Sequence, residues 1–585
     1  MEKRSILSWL ERMDVKLFFG LLFLYQLIFI FQGFDMADEG FHATFYDRFY
    51  SDPESVEYNF MFWLSGVFGN LFSGFGLWGI RLGGVLVIMA TIIATYQLLK
   101  RYLNPGYLKL GLFLVTILLN NNRKTIYYDN LSILFYVLII LFLIAGLRDR
   151  KLWKFFVSGL FIAACVFTRP PNITVLGLGV VILYYAFLYK VSWKVWLMQA
   201  FIWGVGFFIG SVALLGLMKV MGHYTYFVNA LGLIFSMGAD EGNQNYGALN
   251  LIKNYYPPYT TGVIQTIIVL GLVIIAVVVP GFVKAKSVVL DIIKWGFTLI
   301  VLAVVGYMIL KDKEDNVLPL YLFTGLTILT AVIVLFFSKL NNNIKVLMLA
   351  GCYMVAVYPF GSSSGMYTVG INTFWIAFPI VIDYWFNRQT LGRQPFIINT
   401  EQVKWIRSFA VLLLVFACLL HAYFYPYFDK RNRMKMTHSI DNSRLKGIFT
   451  SEERATSFNQ LLAESEKYVK PNDYVLAYDC MPMYHYVTRT RPYIKNSWPY
   501  LYSARTFSQE LMFAKAHTKV LPVVVMQTIK TIGSGSDWPT EPLTYDIEWL
   551  ERNKKRNEYL QQFLNENGYK EVWNNGVFKI FTANK

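Results

Sequence analysis

The sequence predicts a polytopic α-helical membrane protein with an α/β domain at its C-terminal end. Three observations predict it. Hydrophobic residues make up 55% of the chain against 16% charged, clustered in near charge-free runs such as Leu17–Phe31, Val180–Leu188, Thr266–Val279 and Val411–Leu420. Such runs approach the length that spans a bilayer, and no soluble core needs so many of them. Basic residues gather in alternate short connections, and after residue 426 the chain turns mixed polar with strand and helix patterning.

Reading windows of roughly 18 residues gives about thirteen spans. They fall near residues 16–33, 80–99, 106–121, 131–147, 154–168, 173–189, 196–218, 262–282, 295–310, 317–337, 345–360, 371–386 and 408–425. Lys3, Arg4, Arg12 and Lys16 precede the first run as in a secretory signal, but no small-x-small cleavage pattern follows Phe31. The run therefore reads as an uncleaved first span. With the amino terminus in the cytoplasm, one side receives Lys100/Arg101, Arg148/Arg150/Lys151, Lys190/Lys194, Lys284/Lys286, Lys339/Lys345 and Arg388/Arg393. About 22 basic residues then lie inside against about 9 outside, the bias that orients membrane proteins. Orientation accounts for the net charge of +17, and nucleic acid is not an expected partner. The outer connections collect Asp35, Asp38, Glu39, Asp129, Asp240 and Glu241 instead.

Residues Val56–Phe72 are apolar, yet a crossing there would turn every later basic cluster outward. They read as an interfacial helix within a first outer loop at 34–79. Phe41, Phe45 and Phe49 recur at i, i+4 and i+8 beside a polar stripe of His42 and Tyr46, the pattern of a helix lying at the lipid surface. Residues 1–425 thus form the membrane domain and 426–585 a domain outside it. In the latter, Tyr474–Tyr478 and Val523–Met526 read as buried strands, with helices near 452–468, 507–517 and 547–566. Asn574-Asn575-Gly576 reads as the turn of a closing hairpin over Lys570–Thr582. Cys165, Cys352, Cys418 and Cys480 offer neither a disulfide framework nor a zinc spacing.

The Asp38-Glu39 pair just after the first span is the most informative spot for chemistry. One carboxylate can take a proton from an attacking hydroxyl, while its neighbour orients the acceptor or holds a divalent cation through hard oxygen ligands. A plainer reading has Asp38 cap the helix that starts near Glu39. Asp129 is a second acid, at the outer end of the fourth span within Arg123-Lys124-Thr125-Ile126-Tyr127-Tyr128-Asp129-Asn130. Arg123, Lys124 and Arg169 also end spans on that side, and Pro170-Pro171 opens backbone groups beside Arg169. They read equally well as phosphate contacts or as side chains reaching for headgroups. His42, His223, Asp240 and Glu241 are further candidates for acceptor binding, the last three in a long stretch from Lys219 to Thr260.

An uncleaved first span, an Asp-Glu pair, an amphipathic first outer loop and a Tyr-Asp-Asn-Leu-Ser run in the next outer loop resemble the GT-C superfamily of membrane glycosyltransferases. That superfamily includes the protein O-mannosyltransferases and the lipid A aminoarabinose transferases. The resemblance covers most of the chain and implies an inverting enzyme of the extracytoplasmic face. It would use a polyprenyl-phosphate sugar donor and a glycan, lipid or protein acceptor. Asp38, Glu39 and Asp129 would be catalytic or hold any metal, and Arg123, Lys124 and Arg169 would hold the donor phosphate. A bacterial inner membrane is the expected location. No nucleotide-binding loop is present, as a lipid donor would allow. Two other classes fit a polytopic chain: a transporter or flippase of lipid-linked glycans, and an O-antigen ligase or polymerase. The first usually carries ionisable groups at mid-membrane, where this chain has almost none. The second lacks the early acid pair.

Overall fold

The computed structural model describes residues 6–119, 124–239, 253, 255–282, 287–311, 317–362, 365–367, 369–387, 400–424, 426–429, 432–529, 531–532, 538–539 and 547–583. Each apolar stretch read from the sequence carries a helix, and seven helices among the described residues are long and apolar enough to cross a membrane. The membrane part opens with α1 (Ile6–Arg12), α2 (Val15–Leu27) and α3 (Asp38–Arg48), then a 3-10 stretch Pro53–Phe62 and α4 (Trp63–Ser73). There follow α5 (Gly76–Leu99), α6 (Pro105–Leu119), α7 (Tyr128–Asp149), α8 (Leu152–Thr168), α9 (Gly179–Tyr189), α10 (Trp193–Val220) and α11 (Tyr224–Ala239). After these come α12 (Pro257–Phe282), α13 (Val288–Lys311), α14 (Val317–Val332), α15 (Asn342–Val357), α16 (Ala377–Phe386) and α17 (Thr400–Phe424). α5 and α7 bury most of their length against neighbours, whereas α10 and α13 expose Phe201, Phe208, Ile292 and Leu299 around their circumference. Such apolar exposure is stable only in hydrocarbon.

The sheet-containing domain follows α17. A two-stranded ribbon pairs β1 (His438–Ser439) with β2 (Phe449–Thr450). Beyond it lie α18 (Glu452–Ser465), β3 (Tyr474–Tyr478), α19 (Met483–Thr488), β4 (Arg491–Pro492) and α20 (Ala504–His517). The chain ends with β5 (Val523–Gln527), α21 (Ile547–Glu566), β6 (Tyr569–Asn574) and β7 (Phe578–Ala583). Five strands form one sheet in the order β4-β3-β5-β7-β6. β3 runs parallel to β4 and β5, and β7 is antiparallel to both of its neighbours. The predicted strands, helices and closing hairpin are all found.

Two parts differ from the sequence-based expectation. The α3 segment does not lie on a lipid surface: Phe41, His42, Phe45 and Tyr46 are all buried, so both of its stripes face protein. It is sandwiched between the membrane helices and α19, with Gly40 packed so closely on the Met483 backbone that a Cβ would collide with it. The stretch from Lys219 to Thr260 also begins with the helix α11 rather than a loop. Gly222, at φ +73, turns the chain there, and Phe227, Ala230 and Met237 bury one face of that helix. α11 packs on the 3-10 stretch.

Candidate active site

The first turn of α3 presents Asp38 and Glu39, and their neighbours decide what each can do. The carboxylate that caps this helix is Asp35. Its Oδ1 accepts from the Ala37 and Asp38 amides at 2.8 and 3.2 Å, and its Oδ2 from the Glu39 amide at 3.0 Å. The plainer reading of Asp38 as the cap is thereby replaced. Asp38 is half-buried, and its Oδ2 accepts a hydrogen bond from the Tyr427 hydroxyl at 2.6 Å.

Glu39 is buried and fully engaged. Arg81, on the first turns of α5, donates to both of its oxygens at 2.8 and 2.5 Å, and the Thr125 hydroxyl donates to Oε1. The same guanidinium also reaches the carbonyls of Ile30 at 2.8 Å and Gly33 at 2.7 Å. Arg81 therefore ties the link between α2 and α3 to α5. Sequence reasoning passed over Arg81 because a single arginine in an apolar helix carries no local signal of a partner dozens of residues away.

A narrow cleft opens beside this pair. Gln32, Asp35, Glu39, Arg81, Lys124, Tyr427 and Arg433 line it, and its interior volume of about 20 Å³ admits a water or two. Lys124 sits in the link between α6 and α7, where the chain crosses α5 at Gly84; a Cβ there would strike the Lys124 carbonyl. Its Nζ donates to Gln26 Oε1 at 2.7 Å. Burial, and secondarily the Arg433 guanidinium, push the Lys124 amine down to about 7. Arg433 opens the sheet-containing domain; burial lowers its guanidinium too, and it stacks over the Phe29 ring at 4.3 Å. Arg433, like Tyr427, escaped sequence reasoning, since both follow the last span and only the fold returns them to α3.

Asp129 and Arg169 form a second cluster. Asp129 is buried in the first turn of α7, and its Oδ1 accepts from the Tyr358 hydroxyl at 2.7 Å. Arg169 lies over the face of that tyrosine ring at 5.3 Å and donates to the carbonyls of Tyr358 at 2.9 Å and Phe360 at 3.1 Å. His42 stands between the clusters, its ring 6.1 Å from Tyr127 and 5.4 Å from Tyr128, next to Asp129 in the chain. His223 lies apart. It accepts from Trp63 Nε1 at 3.2 Å and is ringed by Phe49, Tyr50 and Phe60, which is a packing role. Arg123, Asp240 and Glu241 lie outside the described residues.

In the sheet-containing domain, Asp479 and His485 are spent on local structure. Asp479 pairs with Arg556 at 2.6 Å, and His485 bonds the Thr490 hydroxyl at 3.1 Å. Among the described residues no three His, Cys, Asp or Glu side chains converge as a metal site. Arg81 already neutralises Glu39, and Asp129 is bonded to Tyr358. Glu39 and Asp129 are therefore already engaged within the protein.

The class defined by these features is a polytopic helical membrane protein with a C-terminal sheet-containing domain, and it resembles the GT-C glycosyltransferases. Residues 59–218 match the family model described as dolichyl-phosphate-mannose-protein mannosyltransferase. That stretch holds Arg81, Lys124, Asp129 and Arg169 and begins after the Asp38-Glu39 pair. No curated protein matches the chain. Two solved structures of the oligosaccharyltransferase from Archaeoglobus fulgidus are similar at 11% identity, each over 89% of this chain. The apo form aligns over 69% of its own length at a TM-score of 0.45. The form in complex with zinc and sulfate aligns over 68% of its own length at 0.43.

Proposed function

We propose that the chain is an inverting glycosyltransferase that moves a sugar from a polyprenyl-phosphate-linked donor to a hydroxyl-bearing glycan, lipid or protein. The reaction would take place at the extracytoplasmic face of a bacterial inner membrane, with the amino terminus in the cytoplasm. One observation carries this reading: a half-buried carboxylate, Asp38, sits beside a cleft where Lys124 and Arg433 stand with Asp35 and the mutually balanced Glu39–Arg81 pair. A proton acceptor next to basic groups that can meet a leaving phosphate is what transfer from a lipid phosphate requires.

In this scheme the acceptor hydroxyl approaches Asp38, which takes its proton as the oxygen attacks the anomeric carbon. The bond from that carbon to the phosphate oxygen breaks on the opposite face. The polyprenyl phosphate leaves with the electron pair, and the configuration inverts. Lys124 and Arg433 meet the charge that develops on the leaving phosphate. Arg81 is already balanced by Glu39, so this pair holds the cleft in shape and leaves base work to Asp38. Asp129 and Arg169, joined through Tyr358, would orient the acceptor from the far side of His42.

The test is transfer of tritiated sugar from polyprenyl-phosphate mannose and its glucose and galactose counterparts. Protein in proteoliposomes is supplied with an envelope fraction of the source cells as acceptor. Asp38→Asn should lower turnover about 100-fold or more with donor KM nearly unchanged. Full turnover in that variant removes Asp38 from the mechanism.

A further inference from the structure

The groups beside Asp38 include one from a part of the chain to which no role has been given. Tyr427 stands just after α17, in the turn that opens the sheet-containing domain, and its hydroxyl donates to Asp38 Oδ2 at 2.6 Å. A phenol bonded to a carboxylate makes a short, charge-assisted bond whose direction matters.

The two backbones that carry these side chains are fastened to each other. Asp429, two residues past Tyr427, accepts from the Phe34 amide at 2.5 Å. Its carboxylate is held by Arg454 at 2.8 Å, with both side chains at 0% exposure, and by the Thr450 hydroxyl at 2.8 Å. Arg454 reaches back to the Phe428 carbonyl at 3.0 Å. Further along, Arg433 donates to the Ala422 carbonyl at 2.6 Å, and Gln32 donates to the Arg433 carbonyl at 3.2 Å. The Gly33 amide donates to the Phe449 carbonyl at 3.0 Å, and the Phe449 amide to the Phe31 carbonyl at 2.8 Å. The link leading into α3 is thus built into the first turns of the domain that follows α17, on both sides of the phenol–carboxylate bond. That bond joins two rigidly held backbones.

We propose that Tyr427 is a positioning residue for Asp38, a role that rests on the reading of Asp38 as the base. The phenol restrains rotation of the carboxylate, so that its proton-accepting lone pair faces the acceptor hydroxyl when the donor is bound. Asp429 and Arg454 fix where the phenol stands. The domain after α17 therefore contributes to the reacting geometry itself. A carboxylate free to rotate would spend most of its time misdirected, a loss that appears in kcat with little change in binding.

The experiment uses the full chain in lipid nanodiscs with tritiated polyprenyl-phosphate mannose, or whichever of the three probe donors the protein accepts. Tyr427→Phe keeps the ring and removes only the hydroxyl. Its kcat should fall about tenfold or more, with donor and acceptor KM within about threefold and the thermal midpoint unchanged. Fluorinated tyrosines of graded phenol acidity, placed at 427, should change kcat in the order of that acidity, which a purely structural role would not do. Full kcat in Tyr427→Phe, or a flat fluorotyrosine series, overturns the proposal. Asp38→Asn run alongside separates the two readings. If that variant is inactive while Tyr427→Phe is normal, only the positioning role fails; if it is active, the assignment of the base fails with it.

Discussion

Arg81 and Glu39 show how a residue invisible to local reasoning can control the site. Removing the guanidinium strands a buried carboxylate, so Arg81→Met should destabilise the protein by about 3–5 kcal/mol in thermal or denaturant unfolding. Arg81→Met with Glu39→Met should recover most of that loss. Lys124 gives a second test. Its ammonium is present below the depressed value of about 7 and is lost as pH rises through it. Donor KM should therefore climb between about pH 6 and 8 in the wild type. In Lys124→Arg, which keeps its charge, it should stay level. Asp38 and Lys124 were legible in sequence because each stands beside an apolar run among other polar groups. Arg433 and Tyr427 were not, since nothing in their own neighbourhood indicates that the chain returns to α3.

At the scale of an element, α3 is the piece whose environment the sequence described least well. Phenylalanines at i, i+4 and i+8 look the same whether they meet lipid or protein. The choice was made by α19, which lies against the face of Gly40 and Thr44, and by the segment before α7, which meets His42 and Tyr46; Gly40 permits the approach of α19. A Cβ at this position has backbone in its way, so Gly40→Ala should cost about 1–3 kcal/mol and loosen the sheet-containing domain, read as faster hydrogen exchange in α19. His485, on α19, adds a dependence on acid. Burial, helped by the charge of Arg48, lowers its imidazole to about 3. Between that value and about 6.5 the unfolded chain binds a proton that the folded chain does not, so stability falls as pH falls through this window and is level above it. Acidifying from pH 7 to 5 should cost roughly 2 kcal/mol, and His485→Gln should flatten the response in a thermal-shift series. By contrast, β3, β5 and the β6–β7 hairpin of this domain were legible almost to the residue, because they announce themselves through local alternation and turn chemistry, whereas the short elements β1, β2, β4 and α19 were not read at all.

For the whole molecule, hydropathy located the helices, and the change of composition near residue 426 anticipated the sheet-containing part that follows α17. How the two parts join was beyond it, since the join is made of single contacts such as Asp429 to Phe34 and Arg48 to the Arg489 and Thr490 carbonyls. The proposed orientation can be checked with single cysteines at Ser439 and Lys151, both exposed, in a chain whose own four cysteines have been replaced. A membrane-impermeant maleimide added to whole cells should label the first and spare the second. The most direct test of the central claim is a cryo-electron microscopy structure with a non-hydrolysable polyprenyl phosphonate sugar bound. The phosphonate should lie against Lys124 and Arg433 with the anomeric carbon turned towards Asp38. A phosphonate seated instead against Arg169 and Asp129, with Asp38 remote from the sugar, would contradict it.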